Sequence, residues 1–138
     1  MEEEMPQYFT LLYGILDLRE QVFRYVSAGH PGPLHVSAAG PRLLPSGGLP
    51  IGMFPNSEYE ETVVPLAPGD RVYLYSDGVT ETLKDDKDMF AERFITSLCA
   101  DRRCTLEESV ENLLSDLKAW CASKPNDDIS VLAFQLGT

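Results

Sequence analysis

The sequence predicts an α+β domain with a mostly antiparallel sheet. Three observations carry this. Apolar runs of strand length fill the first half, helical patterns follow, and a last apolar run returns at the C-terminus. Gly and Pro are dense between residues 29 and 55, which forbids a long helix there. No GxGxxG follows a strand and no P-loop occurs, so neither a doubly wound dinucleotide fold nor nucleotide binding has support. At 138 residues the chain fits one domain.

The first strand is read from Tyr8-Phe9-Thr10-Leu11-Leu12-Tyr13-Gly14-Ile15-Leu16-Asp17-Leu18, rich in aromatic and branched residues and without a helix cap. Arg19-Glu20 is a polar break, after which Val22-Phe23-Arg24-Tyr25-Val26 resumes the pattern. The two runs read as an antiparallel hairpin, although no Asn-Gly turn marks the joint. The stretch from Gly29 to Pro55 reads as an ordered, loop-rich segment packed on a sheet, with strands limited to short pieces such as Leu34-His35-Val36. Glu60-Glu61-Thr62-Val63-Val64-Pro65-Leu66 is the next strand. Pro68-Gly69-Asp70 marks a turn, and Arg71-Val72-Tyr73-Leu74-Tyr75-Ser76 is a buried strand ending at Asp77-Gly78.

The pattern then turns helical. Residues from Phe90 to Leu98 predict a short helix. Thr105 and Glu108 form a capping box, and Leu106, Val110, Leu113, Leu114, Leu117 and Cys121 recur on one face of a second helix. Lys124-Pro125-Asn126 stops it, and Ile129 to Leu136 closes the chain as a strand.

Composition narrows the function classes. With 43% hydrophobic and 24% charged residues, the chain is globular, which excludes a disordered tail, a collagen-like fibre and a coiled-coil rod. The net charge of −11 repels nucleic-acid phosphate and anionic lipid and tolerates divalent cations. No apolar stretch approaches membrane-spanning length, and the start Met1-Glu2-Glu3-Glu4 is no secretory leader. Cys99, Cys104 and Cys121 lack zinc-ligand spacing and read as thiols in a reducing, cytoplasmic compartment.

Chemistry is sought at strand ends. Asp77 ends one apolar strand, and Asp127 and Asp128 precede another. Hard cations such as magnesium and manganese take oxygen ligands of that kind, and a bound cation offsets repulsion between the carboxylates. The same letters also spell turns in which Asp caps backbone N–H groups, so residue types alone leave both readings open. Glu81, four residues after Asp77, either approaches the same site or is a solvated or helix-capping acid. His30, between Gly29 and Pro31, is read as locking a turn through its ring. Ser76, His30, His35 and Asp77 can be written as a Ser-His-Asp set, but no G-x-S-x-G elbow supports it.

At these residues the chain resembles the bacterial metal-dependent serine/threonine phosphatases of the PP2C superfamily, in the SpoIIE and RsbU branch. The resemblance lies in Ser27-Ala28-Gly29-His30-Pro31-Gly32-Pro33-Leu34, Gly48-Leu49-Pro50-Ile51-Gly52, and Leu66-Ala67-Pro68-Gly69-Asp70 leading to Leu74-Tyr75-Ser76-Asp77-Gly78-Val79-Thr80-Glu81. Asn126-Asp127-Asp128-Ile129-Ser130 completes the ordered set, which spans about Tyr8 to Leu136. It implies two stacked antiparallel sheets flanked by helices. It further implies removal of phosphate from phosphoserine or phosphothreonine by a water activated at a magnesium or manganese pair, without a phosphoenzyme. By motif position Asp77 and Asp127 look like metal ligands, with Asp128 beside them. Glu81 looks like part of a switch segment, and Gly29, His30 and Gly78 like structural loop positions. The implied partners are a phosphoprotein substrate, an anti-sigma factor antagonist in this branch, and a second copy in a homodimer; nucleic acid and membrane are not expected.

The family's early Asp…Gly-His-Gly motif, whose Asp bridges both metals, is absent, so residues 1–138 look like the C-terminal portion of the domain. Ala91 stands where Gly commonly follows Phe90. The expectation is therefore a cytoplasmic signalling phosphatase as a complete domain, with this chain alone inactive or nearly so. The rival is a degenerate module that binds a regulatory protein without catalysis, against which the presence of Asp77 and Asp127 weighs.

Overall fold

A computed structural model of the chain describes residues 7–76, 103–120 and 129–137. The helix expected at Phe90 to Leu98 and the stop at Lys124-Pro125-Asn126 lie outside these residues. The described elements form two antiparallel sheets and one helix.

The first sheet begins with β1 (Leu11–Asp17) and β2 (Val22–Ala28), the hairpin read from the sequence. Its turn uses side-chain chemistry in place of Asn-Gly. The Asp17 carboxylate accepts the N–H groups of Arg19 and Glu20, each at 3.0 Å, and Gln21 adopts φ 54°. The third strand, β5 (Thr62–Pro65), joins the far side of β2, giving the order β1-β2-β5. Gly14 has a packing reason: a Cβ there would lie 2.5 Å from the tip of the Phe23 ring, which lies over this bare stretch of backbone.

The second sheet contains β3 (Leu34–Ser37), β4 (Gly40–Leu43), β6 (Arg71–Tyr75) and β7 (Val131–Gln135), in the order β4-β3-β6-β7. The sequence reading anticipated β3 but not its hairpin partner. Gly40 makes the turn at φ 116°, and β4 is an edge strand, which tolerates Pro41 because one flank needs no ladder bond.

The sheets stack face to face. Phe23, Tyr25, Val64 and Leu66 from the first meet Val72 and Leu136 from the second, with Leu44 beside them. Phe23 also stacks on Tyr25 and meets Phe134 edge-on at 5.3 Å between centroids. Because strand side chains alternate, Val72 and Leu74 of β6 face this layer while Tyr73 and Tyr75 face the other way.

Against that other face packs α1 (Leu106–Trp120). The Thr105 hydroxyl accepts the Glu108 N–H at 3.1 Å, the cap the sequence forecasts. Leu113 and Leu117, fully buried, meet Leu34, Val36, Tyr73 and Tyr75. Ser109 sits unforecast within this stripe. Its hydroxyl donates to the Leu106 carbonyl at 2.6 Å, so the Tyr73 hydroxyl donates to Ser109 Oγ at 2.8 Å. This relay satisfies two buried polar groups where the helix lies on the sheet.

Candidate active-site edge between β6 and β7

The site-forming acids read from the sequence, Asp77, Asp127 and Asp128, lie outside the described residues, as do Gly78 and Glu81. The strand ends that lead to them are described. Tyr75 is paired with Val131 in register, and one residue further the two chains are clamped twice. The Ser76 N–H donates to the Ser130 carbonyl, and the Ser130 N–H donates to Ser76 Oγ, both at 2.9 Å. The strand ends at Ser76 and Ser130 thus lie side by side at one end of the second sheet, although 54 positions separate them.

The loop after β2 faces this edge. Gly29 adopts φ 69°, and a Cβ there would lie 2.8 Å from the Pro50 ring, so both conformation and space call for glycine. The Ser27 hydroxyl donates to the His30 carbonyl at 2.7 Å. His30 Nδ1 lies 3.0 Å from the Pro31 carbonyl, which can only accept, so Nδ1 carries the proton. His30 therefore stands with one ring nitrogen engaged by the backbone of its own turn.

Between loop and strand ends lies a cleft of about 240 Å³, whose walls include Leu12, His30, Leu74, Ser76, Ser130 and Leu132. Tyr75 also borders it, and burial pushes its phenol up to about 12. Burial likewise raises Tyr25, opposed by a hydrogen bond from Thr62 and the charge of Arg42; its hydroxyl donates to the Pro45 carbonyl at 2.7 Å.

A second polar pair was missed by the sequence reading. His35 Nε2–H donates to Asp70 Oδ2 at 2.8 Å, with both side chains less than one tenth exposed. The same oxygen accepts the Ala67 N–H at 3.0 Å, while backbone bonds join Gly69 and Asp70 to Leu136. Asp70, read as a turn residue, is also the buried partner that ties β3 to the β5–β6 turn and the end of β7. The signal was available in the alternation of Leu34, His35 and Val36, which turns His35 away from the helix-facing pair. Of the Ser-His-Asp set, Asp77 lies outside the described residues, and His35 is bound to Asp70.

Among the described residues no cluster of three or more His, Cys, Asp or Glu forms a metal site, and no helix is long and apolar enough to cross a membrane.

Two stacked antiparallel sheets with a helix on an outer face form a PP2C-like α+β frame, as in solved structures of this class. More narrowly, the chain belongs to the stage II sporulation protein E (SpoIIE) family, whose pattern matches residues 1–137. It is 33% identical over 111 residues to the phosphoserine phosphatase RsbP of Bacillus subtilis, covering 70% of this chain and 28% of RsbP. The crystal structure of the RsbU and RsbW domains of Rv1364c from Mycobacterium tuberculosis matches with a TM-score of 0.74 and 28% identity, over 93% of this chain and 36% of that one. The PP2C phosphatase domain of SpoIIE from B. subtilis, solved with a fragment of its regulatory domain, matches with a TM-score of 0.75 at 20% identity, over 93% and 38%. This chain spans 16% of the length of Protein IcfG of Synechocystis, 28% of RsbP and 40% of RsbU of B. subtilis.

Proposed function

We propose that this chain is the C-terminal portion of a metal-dependent protein phosphatase domain of the SpoIIE and RsbU type, which hydrolyses phosphoserine or phosphothreonine on a protein. The observation that carries the reading is the double clamp between Ser76 and Ser130. It holds side by side the two strand ends from which the sequence continues to Asp77 in one direction and back to Asp128 and Asp127 in the other. Family membership and the likeness to RsbP support it.

Carboxylate donors at Asp77, Asp127 and Asp128 suit a hard divalent cation, magnesium or manganese. A bound pair supplies charge neutralisation at phosphate and a water nucleophile near neutral pH. The chain's own contribution is positional. The paired strands hold the ends at Ser76 and Ser130 side by side, and the Gly29-His30 loop lines the cleft beside those ends. Glu81 belongs to the segment through which a regulator acts on metal binding. The physiological substrate is a small phosphoprotein of the anti-sigma factor antagonist kind, reached in the cytoplasm, and the active unit is open to homodimer formation.

The test uses the chain as it stands. Manganese should raise its melting temperature, and Asp77→Asn should remove most of that rise, because a ligand bound only to the native state stabilises it by mass action. Turnover of p-nitrophenyl phosphate should be near background. Absence of any manganese-dependent stabilisation would mean that the acids are turn residues only, and strong turnover abolished by Asp77→Asn would refute the expected inactivity.

A further inference from the structure

We draw no further inference here: the strongest candidate, the exposed apolar outer face of the β1-β2-β5 sheet formed by Leu11, Tyr13, Ile15 and Val63, carries nothing because nothing in the structure shows what covers it.

Discussion

The two sheets of this protein present their outer faces in opposite ways. The β4-β3-β6-β7 sheet is covered on its outer side by α1, and Leu34, Val36, Tyr73 and Tyr75 are buried there against Leu113 and Leu117. The β1-β2-β5 sheet carries equally apolar residues on its outer side, yet Leu11, Tyr13, Ile15 and Val63 are each more than two fifths exposed. Both sheets show runs rich in apolar residues, and only one has a described element to bury its outer residues. Apolar content on a strand therefore reports that a face is built to be covered, and the covering layer must be identified separately.

That contrast can be broken most directly by truncating one side chain on each face. Leu117→Ala should cost ~2–5 kcal/mol, since the helix-side core cannot close around the void. Ile15→Ala on the bare face should change stability by no more than ~0.5 kcal/mol. Urea denaturation of both variants measures the difference, and equal losses would mean that the outer face of the first sheet is covered in solution.

A smaller effect sharpens the role of the polar core within the covered sheet. Asp70→Ala leaves the His35 N–H buried without an acceptor and frees the Ala67 N–H, for an expected loss of ~1–3 kcal/mol. Hydrogen exchange at Leu136 should speed up with it, because its amide is bonded to the Asp70 carbonyl. A variant as stable as the parent would show that the pair adds nothing beyond packing.

The smallest effect is confined to alkaline pH. The Tyr75 phenol is raised from its ordinary value of 10 to about 12 by burial on the helix side. The folded state thus holds this proton more tightly than the unfolded chain does. The stabilisation tied to it is complete below pH 10 and fades as pH rises toward about 12. In a phenolate absorbance titration, Tyr75→Phe should remove a late-ionising phenol, and loss of an early-ionising one instead would contradict the burial of Tyr75.

Much of this architecture was legible in residue patterns, and the exceptions have physical causes. The β1–β2 hairpin, β6, the capped helix and β7 were read correctly because periodicity and capping act locally. The β3–β4 hairpin was under-read, since Gly40 and Pro41 look like loop punctuation, and only the edge position of β4 makes Pro41 acceptable. The pairing of His35 with Asp70 joins residues 35 positions apart through tertiary packing, which no short window contains. For the site, the strand ends at Ser76 and Ser130 follow from the predicted strands, but their being neighbours does not. That required the strand order β3-β6-β7, which a linear pattern does not encode. The cleft was equally hidden, because Leu132 reads as one more apolar residue of a closing strand.

The joint at Ser76 and Ser130 also ties the placing of two strand ends to the integrity of the core. Side chains alternate along β6 and β7, so sliding one strand past the other by a single position would exchange which residues of the moved strand face the sheet interior and which face α1. A molecule with these strand ends misaligned in this manner would be badly packed as well, and would be vulnerable to unfolding and proteolysis.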